Sequence, residues 1–503
     1  MRRRLTEIQR DILTLFIAFI LTLAGACAPS PTPPSSETAT PLPSPTFPPS
    51  PTPTLAPTST PETPAPIRPR YTLTAILNYP LHSLNVQERI TYIHTAEETL
   101  DEVWLVVDAL LYPGAFEMDS LQSIRGPALT NIRQERTWIK AELDSPLRKG
   151  ETLELDLTYR LSLPARVAQE GLRPQVFGWS ERQTNLVDWY AYLPPYIPGQ
   201  GWLAHPPGYY GEHQVYEWSD FKVNLQITGE PENLTIAASA PESRQGEWRQ
   251  YFLEGARTFA LSLSPSFVHT TRQAGAVTLH SYAFPYHKTA GERVLNTAAQ
   301  ALDLYSRLFS PYPHEHLAVV EADFLDGMEY DGLFFLSYGF YNLDNGTPAQ
   351  YLVALTAHET AHQWFYGVVG NDQALQPWLD EALCTYAEKL YYETYAPEAL
   401  TWWWEARVNY YQPRGYVDDS IYNPHGEAQP YRAYRDAVYL NGAVFLEELR
   451  KQIGDEAFFD FLRMYVNENR GKIASAQDFF RILRQTTRAP LQPLLERFFQ
   501  NVP

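Results

Sequence analysis

Cysteine is scarce in this 503-residue chain, which contains only Cys27 and Cys384. Two cysteines can form at most one bond, so a disulfide framework is excluded as the basis of the fold. A chain of this length can instead bury a large core, and we expect two or three domains. Positive charge is also in deficit, and the net charge is -19. This balance argues against nucleic-acid binding, because phosphate contacts need patches of Lys and Arg.

The first 26 residues follow the order of a secretory signal peptide. Arginines precede the apolar run Ile12–Leu23, and the small residues Ala24–Ala26 then lead to Cys27. The run is shorter than the ~20 residues that a membrane span needs. A cysteine directly after small residues resembles a bacterial lipobox, which implies cleavage before Cys27 and lipidation of its thiol. We therefore expect an extracytoplasmic lipoprotein, anchored to the cell membrane through Cys27. Plain secretion and an uncleaved anchor are the alternatives.

Residues 27–68 are rich in Pro, Ser and Thr and contain almost no apolar side chains. Such a segment cannot bury enough apolar surface to fold, so a disordered linker is predicted. Proline biases it towards the extended polyproline II conformation.

Residues 69–272 are predicted to form a β-rich N-terminal domain. Apolar and polar residues alternate in Tyr71–Leu77, Glu151–Tyr159 and Phe221–Ile227, the period of a half-buried strand. Glycine and proline turns separate these runs, which favours an antiparallel β-sandwich-like domain.

Residues 273–503 have a different pattern. Val277–Tyr282 and His316–Glu321 are predicted strands, Glu292–Phe309 has helical spacing, and long helices follow to Phe499. The expected fold class is therefore α+β and multidomain, with an α/β subdomain and a helical subdomain after the β-rich domain.

The clearest chemical signal is the segment His358-Glu-Thr-Ala-His362, within a helix predicted over Tyr351–Val369. Two histidines at i and i+4 lie on one helix face, so both imidazoles can bind one metal ion. Glu359 lies beside them, where it could accept a proton from a zinc-activated water as general base.

A second predicted helix, which begins at Trp378, carries Glu381 nineteen positions after His362. A short connection between the two helices would bring Glu381 to the metal as a third ligand. His358, His362 and Glu381 with one open position form a catalytic zinc set, so one Zn2+ per chain is expected. Cys384 lies one turn after Glu381 and is expected to be a small buried thiol, not a ligand.

These motifs resemble the aminopeptidase N and leukotriene hydrolase family of gluzincin metallopeptidases. The similarity includes His358-Glu-Thr-Ala-His-Gln-Trp-Phe, eighteen intervening residues before Glu381, and Trp-Leu-Asp-Glu. Upstream, Gly327-Met-Glu-Tyr resembles the family's Gly-x-Met-Glu-Asn loop, and Tyr439-Leu-Asn-Gly resembles its Tyr-x-x-Gly element. The resemblance spans about residues 270–490 and implies a thermolysin-like catalytic domain.

The resemblance also implies further roles. Glu329 would bind the free α-amine of a peptide, Gly327 and Met328 would shape the loop that meets its backbone, and Tyr439 would donate to the oxyanion. At the next position, Tyr330 replaces the family's Asn. Asp326 and Asp331 lie close enough in sequence to share amine binding with Glu329.

The expected function is hydrolysis of the N-terminal residue of peptides. Three alternatives remain: an endopeptidase on the same scaffold, a hydrolase of non-peptide substrates, and an inactive, lipid-anchored binding protein. The complete set of His358, Glu359, His362 and Glu381 argues against the last of these.

Overall fold

The computed structural model describes residues 67–166, 175–425 and 430–502. Its N-terminal region contains a seven-stranded sheet with mostly antiparallel neighbours. Every second side chain of the strand Thr152–Ser162 is buried, as the alternation in Glu151–Tyr159 predicted. One pair is parallel, since Arg70–Asn78 runs alongside Ser219–Thr228. In spatial order the strands are Ser243–Gln245, Trp248–Ala256, Ser219–Thr228, Arg70–Asn78, Ser83–Ile93, Thr152–Ser162 and Phe116–Arg125.

Three smaller sheets accompany the seven-stranded sheet in the N-terminal region. Side chains of the large sheet and of the two larger accessory sheets share one hydrophobic core, as in a sandwich. The first accessory sheet has the strand order Leu100–Val106, Trp138–Leu147 and Leu129–Glu135. The second has the order Thr235–Ala238, Leu261–Ser264, Thr184–Leu186 and Gly178–Trp179. The third consists of Tyr196–Ile197 and Gly201–Trp202.

A five-stranded mixed sheet opens the second region. Its order is Val268–Ala274, Val277–Ala283, His316–Ala322, Leu333–Ser337 and Gly327–Tyr330. The sequence-based boundary between residues 272 and 273 lies inside the first of these strands. That strand forms an antiparallel hairpin with Val277–Ala283 and so is part of this sheet.

The helix Lys288–Leu308 lies between two strands of this sheet in chain order, the other helices of the second region follow the sheet, and together they form the rest of the second core. The α-helices are Lys288–Leu308, Tyr338–Asn342, Tyr351–Ala361, Trp378–Tyr395, Leu400–Trp402, Pro430–Arg435, Gly442–Ile453, Asp455–Glu468, Ala476–Thr486 and Gln492–Phe498. The π-helical segments are Trp403–Val408 and Asp436–Asn441, and the 3-10 turns are Asp108–Leu111, Pro285–His287, Pro397–Ala399 and Asn409–Tyr411. The strands Gly370–Asn371 and Ile473–Ala474 pair in parallel.

The helix that carries both histidines ends earlier than predicted. It spans Tyr351–Ala361, and the prediction that it continues to Val369 is wrong. The chain turns after His362 because Tyr366 has a φ of 137°, which a helix does not allow. Gly367 N donates to His362 O across this turn at 2.9 Å.

Arg257 connects the N-terminal region to the helices around the histidines. Its guanidinium is buried and donates to the backbone carbonyls of Tyr216, Tyr366 and Lys472. Neither the turn at Tyr366 nor the chain at Lys472 is near Arg257 in sequence, so one side chain holds three distant segments together.

Glu88 is a second buried ionisable residue, and it lies within the N-terminal core. Its Oε2 accepts hydrogen bonds from Tyr159 Oη at 2.8 Å and from Ala191 N at 3.1 Å. Burial raises the pKa of Glu88 to about 8, against these hydrogen bonds, which lower it.

The predicted signal peptide, Cys27 and nearly all of the linker 27–68 lie outside the described residues. Within the part of the chain that is described, no helix has both the length and the apolar character that a membrane crossing requires.

Candidate metal centre

Two neighbouring helices bring together the three residues predicted as metal ligands. We call Tyr351–Ala361 the histidine helix and Trp378–Tyr395 the glutamate helix. Glu381 Oε2 lies 3.2 Å from His358 Nε2 and 3.7 Å from His362 Nε2. Zinc bonds of about 2.0–2.2 Å would separate neighbouring ligand atoms of a tetrahedron by roughly 3.3–3.6 Å. The donor set and its spacing therefore fit a zinc ion.

The buried ion pair of Glu388 and Arg407 fixes the orientation of the His358 imidazole. Its Nδ1 lies 3.1 Å from Glu388 Oε1, which leaves Nε2 to face Glu381. Arg407 binds both oxygens of Glu388, at 2.8 and 3.1 Å, and Trp403 Nε1 donates to Oε2 at 2.8 Å. An imidazole whose Nδ1 proton bonds to a carboxylate presents the Nε2 lone pair to a metal.

The Nδ1 atom of His362 also faces a carboxylate, but that of a different residue, Asp380. Its Nδ1 lies 2.6 Å from Asp380 Oδ1, so Nε2 again faces Glu381. Cys384 is fully buried, with Sγ 3.8 Å from the same Asp380 oxygen. The thiol therefore packs behind the histidine, on the side away from Glu381, as expected for a structural residue.

The charges around the two histidines favour a cation. Burial lowers the pKa of His358, but hydrogen bonds to Glu381 and Glu388 outweigh it and raise the pKa to about 9. The pKa of His362 is also raised, against burial, by Cys384 and Asp380. The buried carboxylates that surround the pair are Glu329, Glu359, Asp380, Glu381 and Glu388. Five acidic groups around two imidazoles can balance the charge of a proton or a metal ion that is bound between them.

Glu359 lies against the strand that contains the predicted peptide-binding residues. Its Oε2 is buried and has no hydrogen-bond partner among the described residues. Burial raises the pKa of Glu359 to about 8. A Cβ atom at Gly327 would collide with Glu359 Oε1, so the absence of a side chain at Gly327 lets the carboxylate approach the strand.

The predicted Gly-Met-Glu loop is a short edge strand, Gly327–Tyr330, of the five-stranded sheet. Successive side chains of a strand point to opposite faces. Met328 and Tyr330 accordingly pack into the N-terminal hydrophobic core, whereas Glu329 lies beside Glu359 and His362, with ligand atoms within 4.8 Å of one another. Tyr330 is therefore directed away from the metal centre.

Glu329 is 5% exposed, and burial raises its pKa well above that of an ordinary glutamate. The two other candidates for amine binding lie elsewhere. Asp331 accepts hydrogen bonds from the backbone of Arg257 and Thr258. Asp326 is exposed and accepts from Tyr431 Oη. The structure thus brings only Glu329, of these three acids, into the group with Glu359 and His362.

Tyr439 lies at the metal centre, in the π-helical segment Asp436–Asn441. Its hydroxyl donates to Glu381 Oε1 at 2.6 Å, while the other oxygen of Glu381 faces the histidines. Burial raises the pKa of Tyr439 well above the usual value, so its proton is retained and available for donation.

Three residues that matter for this geometry were not found from the sequence. Glu388 follows Glu381 by two helical turns, and this spacing on one helix face could have revealed it. Arg407 and Gln373 lie in a π-helical segment and a loop, where no periodicity indicates direction.

Comparisons with known proteins agree with this geometry. Residues 293–498 match the family described as the peptidase family M1 domain. Aminopeptidase O of Homo sapiens is 26% identical over 220 residues, which cover 38% of this chain and 26% of that protein. Aminopeptidase N of Lactobacillus delbrueckii subsp. lactis is 27% identical over 281 residues, which cover 51% of this chain and 33% of that protein. The match thus spans about a quarter to a third of the length of these curated relatives.

Solved structures share the fold over most of the chain. The crystal structure of an M1 zinc metallopeptidase from Deinococcus radiodurans has a TM-score of 0.60 and 20% identity, and covers 86% of this chain and 94% of that chain. A two-domain M1 zinc metallopeptidase mutant bound to L-tryptophan gives a TM-score of 0.59 and 21% identity with the same coverage. The likeness extends over both regions, which confirms the predicted fold class.

Proposed function

We propose that this chain is a zinc-dependent aminopeptidase, because residues 293–498 match the peptidase family M1 domain. The observation that carries the proposal is the arrangement of His358, His362 and Glu381 around one point, with the unpartnered Oε2 of Glu359 beside it. Three ligands and an adjacent free carboxylate are what hydrolysis requires, whereas a structural zinc site has four protein ligands.

The three ligands would hold one Zn2+, which supplies Lewis-acid polarisation of a carbonyl and acidifies water. Glu359 accepts the proton of the attacking water, since its buried carboxylate has an acceptor oxygen to spare. Tyr439 then donates its hydroxyl proton to the oxyanion that develops on the scissile carbonyl, after turning from Glu381.

Glu329 supports the assignment as an exopeptidase. The α-ammonium of a peptide would pair with this buried carboxylate, and the fixed distance between Glu329 and the ligands places the first peptide bond at the metal. Gly327 and Met328 belong to the sheet edge, where the backbone of an extended peptide can form hydrogen bonds. This geometry supports the proposal that the substrates are peptides with a free N-terminus.

The first experiment measures zinc content and peptidase activity of the purified protein. We expect about one zinc per chain, lost in His358→Ala and His362→Ala together with activity. Glu359→Gln should keep zinc and lose at least about 10²-fold in kcat, the low end for a general base. Full activity in a zinc-free His362→Ala protein would rule out the proposal.

The second experiment compares free and N-acetylated peptides. An aminopeptidase should cleave the free form much faster, and Glu329→Gln should remove most of that difference while zinc stays bound. Internal cleavage of acetylated peptides at comparable rates would identify an endopeptidase instead.

We also propose that the protein is an extracytoplasmic lipoprotein, on the evidence of residues 1–27 alone. Expression in a bacterial host with a labelled fatty acid should label the membrane-bound wild type. Cys27→Ser should be unlabelled and should leave the membrane fraction. Equal labelling of this variant would refute the anchor.

A further inference from the structure

One amide lies between the residue proposed to bind the substrate amine and the support of a metal ligand. Gln373 Nε2 donates to Glu329 Oε1 at 3.2 Å and to Asp380 Oδ2 at 3.1 Å. Asp380 Oδ1 in turn lies 2.6 Å from His362 Nδ1. A continuous chain of hydrogen bonds therefore runs from Glu329 through Gln373 and Asp380 to His362.

The chemistry of the amide suits this place. Its nitrogen has two hydrogens, and each can be donated to one of two carboxylates that would otherwise repel each other. It does so without a positive charge, so it does not replace the ammonium that Glu329 would bind. Gln373 occupies only one oxygen of Glu329, and the other oxygen remains for a ligand.

The backbone around Gln373 is fixed on both sides. Asp372 binds His205 Nε2 at 2.9 Å and accepts from Leu375 N at 3.0 Å. Asn371 is part of the short strand paired with Ile473–Ala474. Gln373 itself is 5% exposed, so its amide has little freedom to leave the two carboxylates.

We propose that Gln373 is a positioning residue that fixes the Glu329 carboxylate relative to His362 and so sets where the substrate amine lies with respect to the metal. This inference rests on the proposed aminopeptidase function and deepens it. Amine selectivity then depends on a neutral side chain that touches neither the metal nor the scissile bond.

The test uses the full-length protein with alanine and leucine p-nitroanilides and their N-acetyl forms. Gln373→Leu keeps the volume but removes both hydrogen bonds. We expect KM for the free-amine substrates to rise at least about tenfold, the order for one lost charge-assisted hydrogen bond. Hydrolysis of the acetylated substrates and zinc content should stay near wild type, so the ratio of free to acetylated kcat/KM falls.

Gln376→Leu is the matched control, since Gln376 lies in the same loop and its side chain accepts from Ala476 N, away from Glu329 and Asp380. It should leave the free-to-acetylated ratio unchanged. Gln373→Lys covers the case in which Gln373→Leu fails to fold. Its ammonium can pair with both carboxylates, so we expect a folded protein with zinc that has lost its preference for free amines.

The outcomes separate the two proposals. A wild type with no preference for free amines refutes the proposed function, whatever the variants do. If the wild type prefers free amines and both Gln373→Leu and Gln373→Lys keep that preference, the positioning role is refuted. Equal losses on free and acetylated substrates in Gln373→Leu would also refute it, because they indicate a general structural role.

Discussion

Replacing Glu388 by glutamine is expected to weaken both zinc binding and folding, for two separable reasons. Glu388 is the carboxylate behind His358, and loss of such a partner typically costs 10–100-fold in metal affinity. Glu388 is also the partner of the buried Arg407, at 2.8 Å. Breaking a buried ion pair by removing one charge costs about 3–5 kcal/mol of unfolding free energy. Glu388→Gln should therefore show both losses.

The double variant Glu388→Gln with Arg407→Met separates the two effects. It removes both charges, so no unpaired ion stays buried, and we expect unfolding free energy to recover by most of the 3–5 kcal/mol estimated for the single variant. Zinc affinity should not recover, because His358 still lacks its carboxylate.

Glu447→Gln provides the matched control for this pair of variants. Glu447 pairs at 2.8 Å with Lys389, the residue that follows Glu388 on the glutamate helix. Glu447 itself contacts neither histidine. Lys389 also pairs with Glu393 at 2.6 Å, so the control should lose less stability than Glu388→Gln and should keep its zinc affinity. Denaturant unfolding of the metal-free proteins gives the stabilities, and zinc titration against a chelator gives the affinities. Wild-type zinc affinity in Glu388→Gln would refute the reasoning.

Three further predictions concern substitutions at Gly327, Arg257 and Glu88. Gly327→Ala should displace the Glu359 carboxylate and lower kcat at unchanged zinc content; unaltered kcat would show that the strand yields instead. Arg257→Met removes the donor to the buried carbonyls of Tyr216 and Tyr366, whereas Lys472 O still accepts from Gly370 N. At about 1–3 kcal/mol for each unsatisfied group we expect a loss of at least about 2 kcal/mol in denaturant unfolding, and a loss below about 1 kcal/mol would contradict the connecting role. Glu88 has a folded-state pKa of about 8, above its unfolded value, so its protonation stabilises the fold below pH ~4.3 and this contribution is lost as pH rises towards 8. Glu88→Gln should therefore gain stability relative to wild type between pH 5 and 8, by thermal unfolding, and a constant difference across this range would contradict the shift.

The grouping of the three candidate metal ligands could be expected from the sequence because their geometry is local. His358 and His362 are related by one helical turn, and Glu381 lies in the first turn of the next helix. The end of the histidine helix could not be predicted in the same way. After Gln363 the chain is mostly apolar, and the backbone at Tyr366 turns out of the helix.

The orientation of Glu329 shows a different limit. In a loop, the direction of Tyr330, which departs from the family pattern, is not predictable. The strand Gly327–Tyr330 places neighbouring side chains on opposite faces, so Tyr330 packs in the N-terminal core and does not contact the face that Glu329 occupies. Recognising a four-residue edge strand from sequence is difficult because its pairing partner decides its conformation.

The two histidines are supported in chemically different ways, and the difference bears on substrate selection. Behind His358, the charge of Glu388 is cancelled by Arg407. Behind His362, Asp380 meets the neutral amide of Gln373, and burial raises the pKa of both Asp380 and Glu329. A cation bound beside these two acids would favour their ionised form, and the proposed amine site lies on this side of the centre. Under the proposed function, a cationic N-terminus would bind on that side and direct its carbonyl towards Glu359 and Tyr439. The residues behind the two histidines would then also set the direction in which a peptide binds.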